Sequence, residues 1–191
     1  TFRLQLAEAL MLAKRFDEAK SHLDFALEKA GDELEVALAK ARYLRRTNAP
    51  SAETYLTETL PERFPGAKVQ IGLELGRYHR AQDELDKANA HLEEAIAALD
   101  GHSQALESDV LVSYGLVAWD MGREAAAVRA YERAAKRGNL DALALLAGAL
   151  WRGSAEEREK ALEYARQYLA AGEGLRRTDF VKKIVEQLES R

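Results

Sequence analysis

The sequence contains no cysteine among its 191 residues, and it has only 3 prolines and 12 glycines. The absence of cysteine excludes a disulfide framework, a thiolate zinc site and a cysteine nucleophile, but it does not distinguish the cytoplasm from the periplasm. Threonine, valine and isoleucine are also scarce, so nothing in the chain favours a sheet. Alanine, leucine, glutamate, arginine and lysine dominate instead, and this composition predicts an all-α fold.

The net charge and the hydropathy of the sequence limit the classes of partner that we expect. The formal net charge is −4, and no block of basic residues is interleaved with aromatics, so we do not expect nucleic acid as a partner. The longest apolar run, Ala142–Trp151, is too short to cross a bilayer and suits a buried helix, so we expect no membrane insertion by this segment. Because the chain begins at Thr1 rather than Met, we expect a fragment or a processed product, in which an upstream targeting segment would not be visible.

Small residues recur at the expected start of a second helix in each of five helical pairs. Successive markers are 33, 36, 39 and 34 residues apart: Ala19, Ala52, Ala88, Ala127 and Ala161. Apolar residues around each marker follow helical spacing along one face. The sequence therefore predicts a single domain, 1–191, whose repeats span approximately 1–31, 32–66, 67–101, 102–138 and 139–172.

The stretch Leu111–Asn139 carries the repeat pattern most clearly. Gly115 occupies a position in the first helix that needs a residue without a side chain, and Met121–Gly122 forms the turn. One face of the second helix is lined by Ala127, Tyr131 and Ala134. This spacing resembles the tetratricopeptide repeat (TPR), whose period is about 34 residues, and the last repeat also resembles the related Sel-type repeats. The resemblance implies a right-handed α-solenoid of about five helix-turn-helix repeats and a non-catalytic protein-interaction scaffold.

Local signals place several helix ends. Ser154 and Glu157 have capping-box spacing, which predicts a helix start. Pro50 fits the first turn of the second helix of repeat two, and Pro61 and Pro65 are expected to close that helix.

A terminal helix is predicted at 178–190, after Gly172 and Gly174, with Thr178 as its cap. Its expected apolar face comprises Phe180, Ile184, Val185 and Leu188. A repeat array needs such a helix to cover the exposed core surface of its last repeat. We also expect close helix contacts at Gly76, Gly115 and Gly148, because glycine within a helix costs roughly 1 kcal/mol unless packing compensates.

The polar residues do not form a pattern typical of catalysis or metal binding. None of the four histidines (His22, His79, His91 and His102) has metal-ligand spacing, and His79 is expected to be a packing residue. Adjacent carboxylates such as Glu93 and Glu94 diverge around a helix, and no serine lies in a G-x-S-x-G elbow. We therefore expect no enzyme, no cofactor and no bound metal.

One face of each first helix remains available to a ligand once the packing residues point inward. Spacings of four and then three residues keep its members on one side. The predicted peptide-binding groove comprises Arg45, Leu73, Arg77, Arg80, Val112, Leu116, Trp119 and Arg152. Arg77 and Arg80 are expected beside Trp119, where an acidic segment with an apolar residue would fit. Internal packing of the apolar residues, with solvated or ion-paired arginines, explains the same pattern.

Two alternatives to a peptide-binding scaffold remain open at this stage. One is a structural role, in which the repeats stack with further repeats or self-associate within a larger envelope or secretion assembly. The other is a regulatory domain of a longer chain that carries an enzymatic or DNA-binding module. The expected partner in the leading hypothesis is a protein or peptide, which the residue pattern does not identify.

Overall fold

The computed structural model describes residues 2–172 and 175–190, so Gly174 of the predicted turn lies outside the described residues. Within these ranges the chain is helical and contains no strand. Ten helices form five successive hairpins, and an eleventh helix follows them, as the repeat pattern predicts. Contacts between the helices divide the chain into two compact units, Thr1–Ala98 and Leu99–Arg191.

The first unit holds three hairpins. They are α1 (Phe2–Leu12) with α2 (Phe16–Ala30), α3 (Leu34–Arg46) with α4, and α5 (Lys68–Ala81) with α6 (Leu85–Ala97). Helix α4 is irregular, because it consists of Ala52–Thr54, a π-helical segment Tyr55–Thr59, and Leu60–Arg63. The core between α3, α4 and α5 includes Leu38, Leu56, Leu60, Ile71 and Leu75.

The prediction that Pro61 closes α4 is wrong, because the helix continues to Arg63. A proline inside a helix has no N–H, and its ring crowds the carbonyl four residues earlier. The preceding turn is widened here, and the Leu60 N–H donates to the Tyr55 carbonyl five residues before it. Pro50 lies in the turn that precedes Ala52 rather than in the first turn of the helix.

The second unit holds two hairpins and the terminal helix. They are α7 (Gln104–Asp120) with α8 (Glu124–Ala135), α9 (Leu140–Leu150) with α10 (Ala155–Ala170), and α11 (Thr178–Glu189). The predicted capping box is present at the start of α10, where Ser154 and Glu157 exchange side-chain and backbone hydrogen bonds. Thr178 does not cap α11: it is the first helical residue, and its hydroxyl donates to the Leu175 carbonyl at 2.8 Å.

Small residues lie where helices cross, as the sequence predicts. All five marker alanines are buried. A Cβ at Gly115 would lie 2.8 Å from Cδ1 of Tyr131, and one at Gly76 would lie 2.8 Å from Cδ1 of Leu92. Real Cβ atoms do not approach neighbours so closely, so these glycines permit the observed helix separation.

Helix α11 packs on the last hairpin through a face that differs slightly from the predicted one. Val181 and Ile184 are buried, with Val185 and Leu188 partly buried beside them. The predicted face omitted Val181 and included Phe180, which is exposed over 46% of its surface. Phe180 therefore lies at the edge of this contact rather than at its centre.

Candidate functional site

An apolar groove of about 180 Å³ lies in the second unit, between first helices α7 and α9 and the terminal helix α11. Its lining residues are Leu116, Trp119, Tyr131, Leu145, Gly148, Ala149, Arg177 and Phe180. Leu116 and Trp119 are three residues apart on α7, and Leu145 and Ala149 are four apart on α9, so each pair presents one helical face. A groove of this volume accommodates roughly one large apolar side chain.

Two exposed aromatic residues bound the groove. Trp119 retains 37% of its surface in solvent, although Ala118 beside it on α7 is fully buried. Phe180 lies against Gly148, where a Cβ would meet the ring at 3.0 Å. The glycine predicted to mark a close helix contact therefore receives the aromatic ring of the terminal helix. Exposed aromatic residues beside a groove often contribute most of the binding free energy of a protein interface.

Arg177 supplies the charge in this groove. Its backbone N–H donates to the Tyr168 hydroxyl at 2.9 Å, which fixes the start of α11. Its Nε lies 3.6 Å from an Asp141 carboxylate oxygen, and this buried Nε makes no hydrogen bond to any residue in the described ranges. The guanidinium is thus held beside the groove, and its Nε donor is not used by the described residues.

The predicted groove residues of the second unit divide into two groups. Leu116 and Trp119 line the groove, together with Phe180 and Arg177, which the sequence analysis did not assign to it. Val112 is half-buried one turn before Leu116 and is not among the lining residues. Arg152 is exposed, and its guanidinium stacks over the Trp151 ring at 4.4 Å.

Two of the four groove residues predicted in the first unit, Arg45 and Arg77, contact a buried carboxylate that was not predicted as a site residue. Glu74 is 1% exposed, and its Oε1 accepts from Arg42 Nε and Arg77 Nη1, each at 3.1 Å. Arg45 Nη2 lies 3.6 Å from Oε2 of the same carboxylate. Leu73, also predicted for the groove, is buried on α5, whereas Arg80 is half-buried.

This cluster connects three successive first helices, because Arg42 on α3 also donates to Glu8 on α1 at 2.5 Å. Burial raises the pKa of Glu74, but the charges of Arg77, Arg45 and Arg42 outweigh it and hold that pKa below its ordinary value. Burial lowers the pKa of Arg45, and the neighbouring arginines add to that effect. The sequence signal for Glu74 was a single acid within the apolar run 71–76.

Two of the four histidines, His79 and His91, pack against each other in the first unit. His79 is buried as predicted, with Nδ1 at 2.6 Å from an oxygen of Glu84. Its ring stacks on that of His91, with centroids 5.3 Å apart. Within residues 2–172 and 175–190 no group of three or more His, Asp or Glu side chains is arranged to hold a metal ion.

Five helical hairpins followed by a further helix define a helical-repeat fold in the described part of the chain. No known family model matches the sequence, and no protein of curated function is detectably similar to it. Solved structures do match. A structure of TTC0263 from Thermus thermophilus, described as a thermophilic TPR protein, has a TM-score of 0.68 and 18% identity, covering 99% of this chain and 98% of that one.

A second solved structure, of pilF from Pseudomonas aeruginosa, has a TM-score of 0.65 and 18% identity, covering 97% of this chain and 86% of that one. Likeness at this identity shows the fold and not the function. The chain therefore has the TPR fold that its residue pattern indicates. None of the helices in the described ranges has the length and apolarity that a membrane crossing requires.

Proposed function

We propose that the chain is a non-catalytic interaction module that binds a segment of a partner protein in the groove between α7, α9 and α11. The observation that supports this proposal most directly is that exposed Trp119 and Phe180 both line a groove that Leu116 and Leu145 also line. Proteins of this fold commonly mediate protein–protein interaction, which favours a binding role over catalysis.

The groove suits a ligand because its walls are already in place. Tyr131 is buried beneath it against Gly115, and Phe180 is supported by Gly148. A preformed surface loses little conformational freedom on binding, so most of the contact energy contributes to affinity. Aromatic residues at such a position contribute disproportionately to that affinity.

Selection from a displayed library of random nine-residue peptides tests the proposal and requires no assumption about which protein is the partner. Selected peptides are synthesised with a fluorescent label, and their affinity is measured by anisotropy. Trp119→Ala and Phe180→Ala are each expected to weaken binding by about 2 kcal/mol, roughly thirtyfold, through loss of an aromatic anchor.

Phe2→Ala is the matched control, because Phe2 is 76% exposed and belongs to the first unit. It should leave the affinity unchanged. The melting midpoint of each variant is measured on the same samples. Equal affinity of the wild type and both groove variants, with all of them folded, would place the binding surface elsewhere. The alternatives of a structural role in a larger assembly and of a regulatory domain stay hypotheses.

A further inference from the structure

The groove contains a single charged lining residue among the residues described. Seven of its eight lining residues carry apolar or aromatic side chains or none, and Arg177 is the eighth. The groove holds about one side chain of a ligand. The Arg177 guanidinium in its wall is therefore close enough to contact that ligand residue or the residues directly before and after it. The groove therefore combines an apolar recess with a nearby positive charge.

The backbone of Arg177 is held in position, but its guanidinium has a hydrogen-bond donor that no described residue accepts. The hydrogen bond from its backbone to Tyr168 fixes its Cα, and Asp141 lies 3.6 Å from Nε without hydrogen-bonding geometry. No other described residue accepts a hydrogen bond from this guanidinium, although 30% of the side chain reaches solvent. A guanidinium has five donors in a planar fork and binds a carboxylate through two of them at once.

We propose, building on the proposed function, that the groove selects segments in which an acidic side chain directly neighbours the apolar residue bound between Trp119 and Phe180. Arg177 takes the carboxylate of that acidic neighbour. Asp141 orients the guanidinium from its Nε side and leaves the terminal nitrogens for the ligand. The occupant is thus an internal acidic–apolar segment of a partner protein.

The form of the groove favours an internal segment over a chain end. Trp119 and Phe180 each keep more than a third of their surface in solvent, so the groove is open to solvent at both of these residues. A bound chain can enter at one side and leave at the other. Charge complementarity then selects the sign of the neighbouring residue, since an acidic side chain is attracted to Arg177 and a basic one is repelled.

The test compares selection profiles of the wild type, Arg177→Gln and Arg177→Lys from the same random nine-residue library. The wild type is expected to enrich an apolar residue with Asp or Glu adjacent to it. Arg177→Gln should retain the apolar preference and lose the acidic one, whereas Arg177→Lys should keep part of it, because lysine retains charge without the fork.

Matched synthetic peptides make the test quantitative. For a selected peptide, replacing the acidic residue by its amide should weaken binding to the wild type about tenfold and leave binding to Arg177→Gln unchanged. Added salt should reduce the acidic preference of the wild type alone. Amidation of the peptide's C-terminus should have no effect, and a strong effect would instead identify a terminal carboxylate as the ligand and overturn the internal-segment assignment.

The outcomes separate this inference from the proposed function. Selection of apolar peptides that depend on Trp119, with no acidic preference, overturns the role of Arg177 and leaves the groove intact as a binding site. An acidic preference that survives in Arg177→Gln overturns it as well. If the selected peptides bind equally well when Trp119 or Phe180 is replaced, both the role of Arg177 and the proposed function are overturned. The Arg177→Gln variant keeps the hydrogen bond to Tyr168, because the backbone N–H makes it. Its melting midpoint should therefore equal that of the wild type.

Discussion

At the scale of single residues, Gly115 determines how closely α7 approaches α8, because the ring of Tyr131 occupies the space where its side chain would lie. Gly115→Leu is expected to destabilise the fold by roughly 1–3 kcal/mol, since the added side chain overpacks this contact. Chemical denaturation measures the change in the free energy of unfolding.

Gly66 provides the matched control, because a Cβ there meets nothing within 4 Å. Gly66→Leu should leave the denaturation midpoint near that of the wild type. If the two variants unfolded at the same denaturant concentration, the close contact at Gly115 would not be limiting.

The contact at Gly115 could be predicted because its cause is local, in the spacing between Gly115 and Tyr131 within one hairpin. Glu74 could not be predicted in the same way, because its partners Arg42 and Arg45 are supplied by the preceding hairpin. In sequence, Glu74 differs from an ordinary surface acid only by its apolar neighbours. Long-range pairing of this kind requires the three-dimensional packing to be known.

At the scale of helices, the start of α10 depends on a reciprocal cap between Ser154 and Glu157. Ser154→Ala is expected to reduce stability by about 1 kcal/mol, because it leaves a backbone N–H of the first turn without its acceptor. Thermal unfolding followed by circular dichroism measures the loss.

Ser51 is a matched control at the start of α4, where it occupies the N-cap position but makes no side-chain cap hydrogen bond. Ser51→Ala should therefore change the midpoint much less than Ser154→Ala. Similar losses in the two variants would show that the hydrogen bond at Ser154 is not what stabilises α10.

Helix identities follow from sequence more readily than the faces that helices present. The terminal helix was predicted within one residue of its observed end, but Val181 rather than Phe180 lies at its buried centre. A rotation of one residue, about 100°, separates these two choices. Phe180 and Arg177, two of the eight residues that line the groove, therefore depended on how this helix docks rather than on helical spacing. Leu116 and Trp119 share a helical face, and that local property was sufficient to predict them.

At the scale of the whole molecule, stability is expected to fall on acidification in two stages. Burial, and next the charge of His79, lower the pKa of His91 from its ordinary 6.5, so the unfolded chain binds more protons just below that pH. The arginine cluster lowers the pKa of Glu74 against the effect of burial, which extends the same trend below 4.5. Melting midpoints recorded between about pH 7 and pH 3 check this expectation.

Glu74→Gln separates the two stages. Its midpoint at neutral pH should be lower than that of the wild type, because three guanidiniums then face a neutral amide. Its further loss below pH 4.5 should be smaller, since the titrating carboxylate is gone. A midpoint that rises as the pH falls would contradict the sign of both pKa shifts.

The fold class was predictable because five hairpins repeat one packing solution, so each repeat reinforces the interpretation of the others. The placement of Arg77 and Arg80 beside Trp119, the single-domain boundary and the Sel-type character of the last repeat stay predictions.

The ion-pair chain from Glu8 through Arg42 to Glu74 has a consequence for how this gene can change. In a repeat array each copy interacts only with its neighbours, so the removal of one copy usually leaves the packing within the other copies intact. Deleting the second repeat here would remove Arg42 and Arg45 together and leave the Glu74 carboxylate buried with much of its countercharge missing. The first three repeats should therefore be inherited as one block, and consensus copies inserted between them should be poorly tolerated.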